Sequence, residues 1–210
     1  MYYNSIQMKY ILSALCLSII LFSCTKENKE PDSTGNTARE QGIFKVLTGD
    51  TIMEMNGVID TKTLVHFNDI TAAFPTVKRI NMIECPGSDD DETNVQIGAK
   101  VYQNGMHTHI NNNGYAASGA VDFFLAGTKR TMGSATNLGV HSWADGNGTE
   151  GKDLPMNHPD HDLFLDYYQA IGMSSTDASD FYFFTLNAAA SSTLHWMTAA
   201  EIAQYNMLKS

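Results

Sequence analysis

"GYAASGAVDFFLAG", residues 114–127, holds the decision about this chain. Gly114, Ala116, Ala117, Gly119 and Ala120 crowd around Ser118, and an apolar run then closes on Gly127. The pattern predicts a helix that opens at Ser118 and runs to about Ala126. A serine at the first turn of a helix sits beside backbone N–H groups that have no partner within the helix. Small neighbours let a substrate carbonyl come close to that backbone. A nucleophilic serine needs those N–H groups, room for substrate, and a base within reach. Tight packing of a helix on a sheet also calls for small residues, so the stretch alone leaves both readings open. Asp122, one turn after Ser118, reads as a solvent-facing residue with a second option of intruding on the site.

Working upstream, "RINMIE" (79–84) predicts a strand, "CPGSDDDE" (85–92) a loop, "TNVQIGAKVYQNG" (93–105) a helix ended by Gly105, and "MHTHI" (106–110) another strand. "IFKVL" and "TIMEMNGVI", between 43 and 58, read as strands around a Gly49-Asp50 turn. Residues 61–74 space Leu64, Val65, Phe67, Ile70 and Phe74 as a helix does, and Pro75 stops it. Downstream come strands "KRTM" and "LGVHS", a Gly-rich loop (145–159), and a helix from about Asp160 to Ile171 ended by Gly172. Ser174 with Asp177 and Thr198 with Glu201 start two more helices, the second pair as a capping box, with "LHW" as a short strand between them. Strands alternate with helices, which predicts an α/β domain built on parallel strands.

The N-terminus reads as a targeting segment. From Met8 and Lys9 an apolar run continues through Ile20 and ends in Leu21-Phe22-Ser23-Cys24. The run is short for a membrane span and suits the core of a signal peptide. The Leu-x-Ser-Cys ending resembles the bacterial lipobox. That resemblance implies a signal over 1–23, cleavage before Cys24, and lipid on the Cys24 sulfur. Residues 24–42 are rich in Lys, Glu, Asn, Ser, Thr and Gly and read as a flexible tether; residues 43–210 are the folded domain. The expected location is the bacterial cell envelope, on the periplasmic side or the cell surface, with the membrane as partner through the lipid. Of three cysteines only Cys85 belongs to the domain, so no internal disulfide is expected.

The chain has 210 residues, enough for one domain with a full core. Its net charge of −10, without a Lys/Arg cluster, argues against nucleic acid as a partner. His107 and His109 face one side of a strand, as two metal ligands or as hydrogen-bonded histidines under a helix layer. No third ligand stands at a suitable spacing, and no metal or other cofactor is expected. "HPDH" (158–161) reads as a helix start with an exposed His pair. Cys85 reads as a small buried hydrophobe. "FYFF" (181–184) is too continuous for a surface helix and reads as core, with an oligomer contact or a substrate-facing wall as alternatives. Lys129 and Lys152 are candidate bases for a Ser-Lys arrangement.

Taken in order, "MIECPGS", "GYAASGAVDFFLAGTKRTMGSATNLGVHS" and "HWMTAAEIAQYNM" resemble the Clp-protease/crotonase superfamily, and more closely the periplasmic Clp-protease-like proteins of bacteria. The resemblance covers roughly 55–207. It implies an α/β spiral of β-β-α units with a helical C-terminal region. It implies a serine hydrolase acting on a peptide or small acyl substrate, with Ser118 as nucleophile and His141 as general base. The oxyanion donors implied are the backbone N–H groups of Gly119 and of the Gly87-Ser88 loop. The sequence departs from the family in two places. Ser88 stands where the proteases have a second glycine, and serine tolerates positive φ poorly. The residues before Trp196 are Ser192, Thr193, Leu194 and His195, none of them the expected triad acid. Asp177 or Asp180 then orients His141, or the site is a Ser-His dyad, or it is silent and the chain is a non-catalytic binding or scaffold protein. Asp89, Asp90, Asp91 and Glu92 either cap a helix or favour a basic substrate. The short "GNGTEGKDLPMNHPDH" loop (146–161) replaces the family's helical handle, which implies a monomer or a small homo-oligomer.

Overall fold

The computed structural model describes residues 38–210. The signal segment, Cys24 and most of the stretch read as tether lie outside the described residues.

The first strand arises inside that polar stretch. β1 (Glu40–Gln41) pairs antiparallel with β2 (Phe44–Val46), which pairs antiparallel with β3 (Ile52–Met55). The β2–β3 turn is the expected one, with Gly49 and Asp50 both at positive φ. From β3 the chain crosses over through α1 (Thr63–Ala73) to β4 (Arg79–Cys85), and through α2 (Asp91–Gln103) to β5 (His107–Ala117). These three strands run parallel. α3 (Gly119–Leu125) leads to β6 (Arg130–Met132) and β7 (Asn137–Val140), which both pair parallel with β5. After α4 (Asp162–Ala170) and α5 (Ser175–Ala188), β8 (His195–Trp196) closes the far edge antiparallel to β7, and α6 (Ala199–Gln204) follows. The class is α/β as expected, with a parallel centre and antiparallel edges. The eight strands form one sheet in the order β1-β2-β3-β4-β5-β7-β8, with β6 branching from β5.

Besides β1, two elements differ from expectation. Residues 114–117 are strand, so β5 is far longer than "MHTHI" suggested. Against β4, the register runs Met82 to Ile110 and then Glu84 to Tyr115, so Asn111–Asn113 bulge out. Asn113 takes positive φ, which asparagine tolerates better than most residues. Before the bulge β5 carries β6; after it, β7. α2 starts two residues early because the Asp90 carboxylate accepts from the Thr93 N–H at 2.8 Å and caps it. Both expected caps downstream are present: Ser174 accepts from the Asp177 N–H, and Thr198 with Glu201 forms the full capping box.

The core fills the space between the sheet and the helices, from Met53, Met55, Ile80, Met82 and Ile110 to Phe123, Phe124, Phe181 and Tyr182. Arg130 fastens the C-terminus to this body. Its guanidinium donates to the carbonyls of Met207 and Asn206 and to those of Leu125 and Gly127 at the end of α3. Among the described residues no helix is long and apolar enough to cross a membrane.

Candidate active site

Ser118 is the one-residue joint between β5 and α3, and its backbone is turned to φ 52°, ψ −135°. A side chain held there costs on the order of 1–3 kcal/mol, and such strain persists only where its surroundings enforce it. Here the Ser118 N–H donates to Gly139 O on β7 at 2.8 Å, and the Ser118 carbonyl accepts from the Val121 N–H at 2.8 Å. A sharp strand-to-helix turn of this kind presents a hydroxyl above the sheet edge beside the free N–H groups of the first helical turn.

The crowd of small residues has a direct cause. A Cβ on Gly87 would stand 2.9 Å from Ser118 Cβ and 3.3 Å from Ser118 Oγ, and Gly87 itself sits at φ 141°. A Cβ on Gly119 would overlap the Ser88 hydroxyl and approach Asn94 Nδ2 to 2.9 Å. Ala116, Ala117 and Ala120 are buried. Close packing and backbone access are thus served by the same residues.

Ser88 does not take positive φ; Gly87 carries that conformation alone. Ile59 bridges Ser88 as a parallel partner, donating to Gly87 O at 2.9 Å and accepting from the Asp89 N–H at 2.8 Å. That pattern turns the Ser88 N–H away from Ile59 and leaves it available as a donor. The first N–H of α3 belongs to Gly119, so the three expected oxyanion residues, Gly87, Ser88 and Gly119, meet around the Ser118 turn. The Ser88 hydroxyl is occupied, donating to Asp91 Oδ1 at 2.5 Å.

His141 follows the last residue of β7 and lines the same cleft as Ser118. Its Nδ1 lies 2.7 Å from Ser142 O. A carbonyl only accepts, so Nδ1 carries the hydrogen and Nε2 of the neutral ring keeps its lone pair. That is the tautomer a general base requires. No hydrogen bond joins Ser118 Oγ to His141 among the described residues, a gap that substrate-free sites often show.

The expected orienting acids are not there. Asp177 and Asp180 are exposed and line a separate depression with Phe183 and Tyr205. Asp177 is tied to Ser174 at the start of α5, whereas Thr185 and Leu186 of that helix line the Ser118 cleft. At a rise of about 1.5 Å per residue, Asp177 is roughly 12 Å back along the axis. On the other flank of His141 lie Pro86 and residues 191–194, without a carboxylate.

Asp122 was expected to face solvent and does not. It is 8% exposed and lines the cleft with Ser118 and His141. The Tyr168 hydroxyl donates to its Oδ1 at 2.5 Å, and the Tyr167 hydroxyl donates to its backbone carbonyl at 2.7 Å. Burial pushes the Asp122 carboxyl up to about 7, against the downward pull of Tyr168; nearby Asp91 adds to the rise. The cavity is small, about 50 Å³, with Trp143, Phe164, Tyr168 and Tyr182 among its walls. The substrate-facing wall offered as an alternative for "FYFF" falls to Tyr182, which lines the cleft; Trp143, Phe164 and Tyr168 carried no such signal in the sequence.

The remaining candidates fall elsewhere. Lys129 is exposed, and Lys152 is paired with Glu150 at 2.5 Å; a hydrogen bond to that carboxylate raises the ammonium, the reverse of what a lysine base needs. Neither lines the cleft. His109 Nδ1 meets Thr131 Oγ1 at 2.7 Å. Among the described residues no group of three or more His, Cys, Asp or Glu side chains is placed to hold a metal ion. His158 is half-exposed, but His161 is fully buried between Tyr182 and the Pro155 carbonyl, so "HPDH" is not an exposed pair. Cys85 is buried, and burial pushes its thiol up to about 12.

No family profile matches the sequence, and no curated protein matches it. Solved structures do. A mutant of the 1510-N membrane-bound stomatin-specific protease, in complex with a substrate peptide, aligns with a TM-score of 0.51 at 17% identity, over 74% of this chain and 71% of that one. A mutant of ClpP1 from Listeria monocytogenes aligns with a TM-score of 0.50 at 14% identity, over 76% of this chain and 89% of that one. The domain therefore has the Clp-protease/crotonase fold.

Proposed function

We propose that this protein is a serine hydrolase that cleaves peptide, amide or ester bonds, with Ser118 as nucleophile and His141 as general base. One observation carries the reading: a serine strained into positive φ at a strand-to-helix joint opens on the same cleft as a histidine fixed in the base-competent tautomer. Ser118 Oγ attacks the substrate carbonyl carbon while its proton passes to His141 Nε2. The oxyanion accepts from the backbone N–H groups of Gly119 and Ser88. The tetrahedral adduct collapses, and His141 returns the proton to the leaving group. Water then enters by the same base and frees the acid.

The Ser142 carbonyl takes the orienting task of a third acid. It fixes the tautomer but adds less negative charge beside the forming imidazolium than a carboxylate does, so turnover is slower than in a full triad. The stomatin-specific protease of like fold was captured with a substrate peptide, which favours a peptide here. The lipobox-like Cys24 anchors the domain to a bacterial membrane, and the short loop at 146–161 suits a monomer or small homo-oligomer; palmitate-analogue labelling lost in Cys24→Ala and light scattering read these two points.

A fluorophosphonate probe tests the chemistry. Wild type is expected to label, Ser118→Ala to stay blank, and His141→Ala to label about 10²-fold more slowly or worse. A second reading, a non-catalytic binding protein, is favoured by the missing Ser118–His141 hydrogen bond and the lack of a carboxylate behind the ring. An unlabelled wild type decides for it.

A further inference from the structure

Asp122 is buried to more than nine-tenths, yet only one of its carboxylate oxygens is used. Oδ1 accepts from Tyr168; the second oxygen has no protein partner among the described residues, and the side chain lines the cleft. That oxygen is not sealed inside the protein, so a group that donates can reach it from the cleft.

We propose that the cleft beside Ser118 is a cation pocket in which Asp122, aided by Asp91, receives the ammonium group of a basic substrate side chain. The word substrate rests on the hydrolase reading; the binding of the cation does not.

Charge, walls and size agree. Asp91 and Asp122 line the cleft, and no Lys or Arg does. Trp143, Phe164, Tyr168 and Tyr182 supply aromatic faces, which attract cations. Their polar ends are already committed: Trp143 Nε1 donates to the Tyr182 hydroxyl at 2.8 Å, and that hydroxyl donates to His161 Nδ1 at 2.8 Å. The walls thus offer π surface without competing donors. A cavity of about 50 Å³ takes an ammonium and its adjoining methylene, and no large ring.

The pocket binds a cation only when Asp122 is ionised. Its carboxyl stands near 7, and the groups around it are Asp91 from α2, Tyr167 and Tyr168 from α4, Tyr182 from α5, and His141 at the end of β7. Rising pH ionises Asp122 and strengthens binding.

Binding of n-butylammonium chloride and of the near-isosteric 1-butanol to the full chain tests this. Trp143 fluorescence in a Trp196→Phe background is the readout, since Trp143 lines the cleft and Trp196 is 45% exposed elsewhere. The amine is expected to bind at least tenfold more tightly than the alcohol at pH 8. Its affinity should fall about tenfold between pH 8 and pH 6, following the ionised fraction of a group near 7. Asp122→Asn should abolish the preference. Tyr168→Phe keeps the carboxyl but removes its donor, and should move the pH midpoint upward. Equal binding of amine and alcohol, or an unchanged preference in a folded Asp122→Asn, overturns the inference. So does a midpoint that Tyr168→Phe leaves in place or moves downward. A chain that binds the amine through Asp122 but resists the fluorophosphonate refutes the hydrolase reading alone. One that labels but ignores charge refutes this inference alone.

Discussion

Ser118, Gly119 and Asp122 lie within five consecutive positions and place three different demands on the chain. Gly119 has no space for a methyl group between Ser88 and Asn94. Gly119→Ala must shift the loop that holds the Ser88 donor. Fluorophosphonate labelling of that variant is expected to drop at least tenfold, with a melting temperature several degrees lower. Asp122 makes a second prediction through pH. Its carboxyl is raised from 3.8 to about 7 in the folded protein, so between those values the native state holds a proton that the unfolded chain has released. Stability is full below about pH 4 and is lost as pH climbs toward 7, with a slope of about 1.4 kcal/mol per pH unit from this group. Urea titrations from pH 4 to 8 should show a shallower decline in Asp122→Asn by that amount. The small-residue crowd was legible in the sequence because its cause is local. The burial of Asp122 was not, because Tyr168 comes from a helix 46 residues further on.

At the scale of elements, the alternation of strands and helices and the caps at Ser174 and Thr198 could be read directly, since each rests on neighbours within one turn. β5 could not. "NNNG" carries the composition of a turn, and only pairing with β4 on one side and then with β6 and β7 on the other turns it into a bulge within one strand. β1 was hidden in the same way, since Glu40 and Gln41 are polar and owe their strand to β2. The orienting acids failed for a third reason: Asp177 sits at the start of α5, away from the turn that lines the cleft, and Asp180 lies on the face that lines the separate depression, which spacing along the sequence conceals. Arg130 offers a test of how elements are joined. It ties the end of α3 to Asn206 and Met207, and its main chain exchanges hydrogen bonds with Lys209. Arg130→Ala is expected to cost about 2 kcal/mol, as the loss of charge-assisted bonds does. Hydrogen exchange should quicken first over 205–210.

For the molecule as a whole, the α/β class and the position of the serine turn were readable, because the order of elements and their hydrophobic patterning constrain how a sheet can be threaded. The removal of the third acid from the base was readable only as an absence. What replaces it, the Ser142 carbonyl, belongs to the backbone and leaves no mark in any side chain.

Among the described residues the two ends of the sheet, β1 and β8, are strands of only two residues, and the branch strand β6 has three, the first of them bridged to Lys209. A rim that brief cannot template the addition of a neighbour's strand, a hazard that longer, flat rims carry. If copies of this protein gather, they must do so through side chains on helices and loops, leaving the ladder of each molecule self-contained. Crosslinking between copies should therefore join helical surfaces and never β8 to β1.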